Sequence, residues 1–362
     1  MKITFLLPYA GMHGGIRVVA IYAQLLRDLG HEIMVISVTK NALTFKNRLR
    51  YIVTQKKLPS AKNEQGETYF DQDDSSWIVL SHAGPITDDD IPNADIVIAT
   101  WWKTAEWVHH LSPSKGMKVH FCQGYETHDI KHRGRVEEAY CLPIKKICVS
   151  EWVRKKIGSL TGLYDHEILP NGVDLKQFYP SSQVSRDRQC FGFVFSEEAT
   201  KGVDIIIQAL VLAKAENPLI KAIAFGSSAP TKHLELPPWV EFHENPPQYF
   251  IREIYSKCTA WLFGSRAEGF GLPILEAMAC KTPVIASHAG AAPELVSDKC
   301  GYLIAAENPV EMAKKIIDFS EMTSAVWAAK SRAAYEVACK NNWEISCNRL
   351  DNILSKLVKG CR

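Results

Sequence analysis

The chain has 362 residues, enough for two domains, and its 46% hydrophobic and 23% charged content is that of a water-soluble globular protein. A formal net charge of +2 argues against a nucleic-acid partner. No apolar run reaches the roughly 18 residues of a membrane span, and the opening Met-Lys with its short β-like run does not read as a secretory leader. Ten cysteines lie scattered without a C-x2-C pair, so neither a zinc site nor a disulfide framework is indicated, and reduced thiols point to a cytosol.

Residues 2–7 (KITFLL) read as a buried strand. A turn-rich loop follows over 8–15, ending on Gly14-Gly15, and Val19, Ala20, Ala23 and Leu26 set a helix over 16–29 that Gly30 closes. With a second strand at 31–38 this is a β-α-β unit with glycines at its first turn. The G-x-G-x-x-G fingerprint and the ribose-reading acid of nicotinamide enzymes are absent. Lys40, Lys46, Arg48, Arg50, Lys56 and Lys57 form a basic stretch interleaved with apolar residues. It reads as a solvated helix face or as a patch for an anionic or lipid-linked ligand at a membrane surface. Asp71-Gln72-Asp73 lies in a polar loop before a strand, out of place for a metal site, and Asp88-Asp89-Asp90 reads as a solvated turn.

Strands resume at 77–80, 95–100, 118–122 and 146–150. Trp101 and Trp102 follow one of them and Gln123 to Asp129 the next, where a doubly wound sheet places ligands. The adjacent His109 and His110 point about 100° apart on a helix and chelate poorly together. His128 and His132 suit structural or solvent roles better than a metal. After Pro170-Asn171-Gly172 and a polar loop over 181–189, a second series begins. A strand at 190–195 leads through Ser196–Thr200 to Lys201-Gly202 and a helix over 203–215. Strands at 222–226 and 239–242, a helix near 248–256 and a strand at 260–263 follow.

The stretch from Gly264 to Cys280 is the most informative. A glycine-spaced loop joins a strand to a helix that Pro273 opens, so backbone N–H groups and the positive end of the helix dipole make an anion site. Glu276, expected in the first turn of an almost wholly apolar helix, needs donors to meet it. Glu268 and Glu276 repel phosphate and suit hydroxyls, and a nucleotide sugar offers a diphosphate flanked by hydroxyls. Taken singly, Glu276 also reads as a helix cap and Glu268 as a solvated loop acid. Downstream come a strand at 283–286, the loop Ser287-His288-Ala289-Gly290, a helix over 292–296 with Glu294 in its first turn, and helices over 307–358.

Glu268 through Glu276 resembles the E-x7-E signature of retaining family-4 glycosyltransferases, and EGFGLPILEAMAC followed by KTPVIAS resembles that family's C-terminal core. The resemblance implies an α/β GT-B fold, two Rossmann-like doubly wound domains facing each other across a cleft. It places an acceptor-side domain at 1–175, a donor domain at 176–342, and a helix over 343–362 returning to the first. It implies a nucleotide-sugar donor and neither metal nor resident cofactor. Glu268 would face the donor sugar, Glu276 the ribose, and the amides of Gly269, Phe270, Gly271 and Leu272 the sugar and diphosphate. Gly14-Gly15 resembles the family's N-terminal glycine loop at the diphosphate, with a plain tight turn as the alternative. Gln123 stands where many members carry a histidine, with His120 inside the strand, so Gln123 becomes the catalytic candidate there, with Glu126 a second candidate on the acceptor side. Trp101 and Trp102 read as an acceptor wall or as packing. Asn171-Gly172-Val173-Asp174 resembles the stretch where the chain crosses between domains.

One departure matters. The family usually carries an arginine a few residues before Lys201-Gly202, and this chain offers Ser196, Glu197 and Glu198 instead. Lys201, alone or with Arg266, is left to hold the diphosphate. The expected reaction is retaining transfer to a glycan or lipid-linked hydroxyl, in glycan or cell-surface polysaccharide synthesis, in the cytoplasm or peripherally at the inner membrane face. A nucleotide-sugar epimerase of the same fold and a non-catalytic binding module are the rivals.

Overall fold

The computed structural model describes residues 1–39, 67–70, 74–126 and 130–360. The basic stretch from Lys40 to Lys57, the Asp71-Gln72-Asp73 triplet and His128 lie outside these residues. The chain forms two units. The first gathers Met1–Val149, Val153–Leu169 and Cys347–Arg362, and the second Ser150–Trp152 and Pro170–Ser346.

The first unit is built on seven parallel strands: β1 (Lys2–Leu7), β2 (Glu32–Val38), β3 (Trp77–Leu80), β4 (Ile96–Ala99), β5 (Met117–Cys122), β6 (Lys145–Cys148) and β7 (Glu167–Ile168), in the order β3-β2-β1-β4-β5-β6-β7. Ile3, Phe5, Leu6 and Leu7 of β1 are all buried, as a central strand covered on both faces requires. Helix α1 (Gly14–Asp28) buries Ile16, Val19, Tyr22, Ala23 and Leu26, the apolar stripe its spacing dictates. Its first turn begins at Gly14, so Gly14 and Gly15 open the helix rather than end the loop before it. Helices α2 (Trp102–His110) and α3 (Arg133–Cys141) flank β5, and α4 (Glu151–Thr161) follows β6.

The second unit has six strands: β8 (Cys190–Val194), β9 (Lys221–Gly226), β10 (Val240–Glu244), β11 (Ala260–Phe263), β12 (Val284–Ser287) and β13 (Gly301–Ile304). Their order, β10-β9-β8-β11-β12-β13, repeats the winding of the first sheet, and every pairing is parallel. Helices α5 (Val203–Glu216), α6 (Gln248–Lys257), α7 (Leu272–Ala279), α8 (Ala292–Leu295), α9 (Pro309–Glu321) and α10 (Ser324–Lys340) complete it. Phe191 and Phe193 of β8, Ile206 and Leu210 of α5, Leu262 of β11 and Phe319 of α9 share one core. In each unit the winding reverses beside its first strand, between β1 and β4 and between β8 and β11, where such sheets hold ligands.

Helix α11 (Trp343–Lys359) begins in the second unit and continues into the first. Cys347, Leu350, Ile353 and Leu354 are buried, and Asp351 accepts a 3.0 Å bond from His31 Nε2. Gly172 packs on the start of this helix: a Cβ there would lie 2.4 Å from Trp343 N. Gly172 therefore serves close backbone packing. No helix among the described residues is long and apolar enough to cross a membrane.

Candidate functional site

At the switch point of the second unit two loops touch through bare backbone. Lys201 closes a short 3-10 turn, and Gly202 takes the left-handed conformation (φ +60°) before α5. A Cβ on Gly202 would stand 2.0 Å from Gly264 O, just past β11, so both positions exclude side chains. Thr200 O accepts the N–H of Arg266 at 2.8 Å. The Arg266 guanidinium grips the Asp204 carboxylate with both terminal nitrogens at 2.7 Å, donates to Ala199 O at 2.7 Å and reaches Glu307 at 3.0 Å. These hydrogen bonds raise its pKa. Arg266 thus binds the two loops together, and the cation facing Glu268 is Lys201.

Lys201 Nζ donates to Glu268 Oε2 at 2.8 Å. Burial works against the ammonium, yet the Glu268 carboxylate outweighs it and the pKa is raised, with Glu198 adding to the effect. Glu197 points elsewhere, accepting the Thr231 N–H at 3.1 Å and the Thr231 hydroxyl. One of the two acids at the missing-arginine position is thereby removed from the site. Ser196 Oγ accepts the Glu198 N–H at 3.2 Å and shapes this loop.

Beyond Glu268, Gly271 (φ +95°) turns the chain into α7, with Pro273 at its second position. Glu276 is the fifth residue of the helix, one place past the first turn, because the helix starts at Leu272. The N–H groups of Phe270, Gly271 and Leu272 have no acceptor among the described residues, while the Gly269 N–H lies 3.3 Å from Glu268 Oε1. Free amides beside a helix start and a lysine make an anion site. A third loop supports it: Gly290 (φ +56°) lets the chain pass under Phe270 O, which accepts the Ala291 N–H at 2.9 Å. Glu276 is buried, and the Tyr255 hydroxyl of α6 donates to its Oε2 at 2.9 Å.

In the first unit, a Cβ on Gly15 would lie 3.5 Å from the Gln123 side-chain amide, so the start of α1 and the segment just past β5 converge. Trp102 is buried and belongs to the core, whereas Trp101 is half-buried. Lys103 Nζ sits 5.0 Å from the Trp101 ring and 5.2 Å from the Trp102 ring, and Arg135 lies 5.1 Å from the latter. Glu126 Oε2 accepts the Trp102 N–H at 3.3 Å, at the start of α2, and lies 3.3 Å from the Tyr140 hydroxyl. Burial pushes the Glu126 carboxyl up to about 8, with those hydrogen bonds acting in the opposite direction. His120 stacks on Tyr140 at 5.4 Å, and burial lowers its pKa to about 3, so the strand histidine is a neutral core group.

Tyr255, Asp204, Glu307 and Tyr140 were not foreseen. Only Asp204 carried a local signal, an acid in the first turn of a helix right after Lys201-Gly202. Among the described residues no group of three His, Cys, Asp or Glu side chains could hold a metal ion.

Residues 177–336 match the family model for glycosyl transferases group 1. A GDP-mannose-dependent monoacylated alpha-(1-6)-phosphatidylinositol monomannoside mannosyltransferase of Corynebacterium glutamicum is 26% identical over 57% of this chain and 60% of its own. A lipopolysaccharide core biosynthesis mannosyltransferase of Rhizobium leguminosarum is 28% identical over 42% of this chain and 49% of its own. The chain thus spans about half the length of the curated relatives it matches. Anabaena HepE, solved with UDP and glucose, superposes with a TM-score of 0.73 at 19% identity, covering 98% of this chain and 100% of its own. Sucrose-phosphate synthase of Thermosynechococcus elongatus gives 0.72 at 16% identity, covering 99% and 100%. These likenesses, with the two doubly wound sheets, show the GT-B fold. Over residues 177–336 the chain is thus similar to the glycosyl transferases group 1 family.

Proposed function

We propose that this protein moves a glycosyl group from a nucleoside-diphosphate sugar to an acceptor hydroxyl, with retention of anomeric configuration and without a metal ion or resident cofactor. The observation that carries the reading is the Lys201–Glu268 pair beside the amides of Phe270, Gly271 and Leu272, which have no acceptor among the described residues. An incoming diphosphate meets Lys201, the amides and the α7 dipole, and Glu268 turns to the donor hydroxyls. Glu276, which accepts a hydrogen bond from Tyr255, faces the ribose hydroxyls. Within the first unit, Gln123 and the Gly14-Gly15 helix start come together and are the candidates there.

The chemistry follows from these groups. The anomeric C–O bond to the diphosphate breaks as the acceptor oxygen attacks the same face, and a leaving phosphate oxygen takes the acceptor proton. Lys201 and the amides stabilise the charge that builds on the leaving group, the largest kind of term available to such a site. The relatives named for a phosphatidylinositol mannoside and for lipopolysaccharide core support a glycan or lipid-linked acceptor, and with it peripheral membrane contact at the cytoplasmic face.

Diphosphate release from UDP-, GDP- and ADP-sugars tests this, with calorimetry against the free nucleotides. Release from one donor class, lost in Glu268→Gln, is the expected result. Nucleotide binding without turnover on any acceptor would leave a binding module instead.

A further inference from the structure

A half-buried acid in the loop after β5 has no part in the donor site. Glu126 has no cation against it among the described residues: Arg135 pairs with Glu106 at 2.7 Å, and Lys103 lies over the tryptophan rings. A carboxylate so placed would be a partly desolvated ion without a counter-ion, which neutralising the group avoids. Counting protons gives the same answer. The Tyr140 hydroxyl has one proton, and the Gly124 carbonyl oxygen is its nearer acceptor at 2.9 Å, against 3.3 Å for Glu126 Oε2. The Tyr140 oxygen also accepts the Glu126 N–H at 3.4 Å. A proton on Glu126 completes the contact between the two oxygens, whereas a carboxylate would leave two acceptors facing each other.

Glu126 Oε1 has no hydrogen-bond partner among the described residues, and the half-buried Trp101 flanks the same sheet end. An aromatic face beside an acid suits a ring that carries C–H groups on one side and hydroxyls at its edge. Resting on the transfer reading above, we propose that Glu126 is a neutral carboxylic acid that hydrogen-bonds a hydroxyl of a polyhydroxylated acceptor ring lying against Trp101. The titratable groups around it are Tyr140 on α3, His120 and Cys122 on β5 and Lys146 on β6. Burial holds the Tyr140 and Cys122 protons on and keeps His120 neutral. Burial also lowers Lys146, whose ammonium donates to Leu142 O at 2.9 Å and Ile144 O at 3.2 Å.

Two measurements on the full chain test the assignment. Carbon-13 NMR of the glutamate carboxyls, with the Glu126 signal identified by its loss in Glu126→Gln, needs no substrate. A signal still protonated at neutral pH is expected, and one that titrates in the ordinary carboxylate range overturns the neutral acid. Turnover is then measured with whichever donor releases diphosphate, using methyl α-D-mannopyranoside and myo-inositol as probes. Glu126→Gln, which keeps a neutral hydrogen-bonding group, should hold the acceptor KM within about twofold, and Glu126→Leu should raise it about tenfold while the donor KM stays within about twofold. An unchanged acceptor KM in Glu126→Leu, an equal rise in donor KM, or no response to either probe while donor hydrolysis persists overturns the acceptor role. Absence of donor hydrolysis with every nucleotide sugar instead removes the transfer reading itself.

Discussion

Gly202 and Gly264 meet without side chains: a Cβ on the first would come within 2.0 Å of the carbonyl oxygen of the second. Everything that Lys201 does toward Glu268 depends on this approach, because it sets the two loops at ion-pair distance. Gly202→Ala should therefore be costly. Alanine at φ +60° carries about 1 kcal/mol of strain, and the clash with backbone adds to it. A lower melting temperature together with weakened nucleotide binding by calorimetry is expected. Unchanged values for both would mean that the loops move apart freely.

Lys201→Ala removes the cation that faces Glu268. The pair is partly exposed, so its loss should change stability by less than about 1 kcal/mol. Turnover should fall by about 100-fold or more, since a preorganised charge on the leaving group acts mainly in the transition state. Steady-state rates set beside thermal melts separate the two effects. A large drop in stability with little change in kcat would recast Lys201 as a structural residue.

Arg266 is expected to act by position. Asp204→Asn loosens the bidentate grip on Arg266 without touching Lys201 or Glu268. A severalfold rise in donor KM with kcat nearly kept is the expected split. Equal losses in Asp204→Asn and Lys201→Ala would instead place the guanidinium on the diphosphate.

Tyr255→Phe takes a buried donor from the buried Glu276 carboxylate. A hydrogen bond to a charged group contributes about 1.5–3 kcal/mol. Chemical denaturation should show that loss, and ligand that supplies hydroxyls to Glu276 should restore part of it. No difference between the variant and the parent would show that Glu276 has other donors of equal worth.

His120 and Glu126 pull the stability of the first unit in opposite directions with pH. His120 is lowered to about 3, so the unfolded chain takes up its proton first and stability falls as pH drops below the ordinary histidine value toward 3. Glu126 is raised to about 8, so its contribution is full below the ordinary carboxylate value and is lost as pH rises through 8. The two windows overlap between the ordinary carboxylate and histidine values, where the slopes offset, so melts across pH should show a broad maximum there. His120→Leu should flatten the acid side and Glu126→Gln the alkaline side, and profiles unchanged by either variant would contradict both assignments.

The strand series was legible because parallel strands covered on both faces read as continuous apolar runs, from KITFLL in β1 to AWLF in β11. The signature loop was legible for the same kind of reason, since glycine spacing between a strand and a helix states backbone geometry directly. Partners across the chain were not. Arg266 meets Asp204 across 62 positions and Glu276 meets Tyr255 across 21, and nothing local encodes either pairing. Helix starts slipped for a related reason: apolar spacing shows where a helix is covered, not where its first turn begins, so Gly14 and Gly15 fell on the wrong side of the boundary.

Residues 347–359 complete a unit whose first strand was laid down more than three hundred positions earlier. During synthesis the first unit therefore waits, with the surface that Leu350, Ile353 and Leu354 will cover still open, while most of the second is already available to fold. An N-terminal fragment ending at Leu169 should emerge sticky and in need of chaperones, and supplying residues 343–362 as a separate peptide should rescue its solubility.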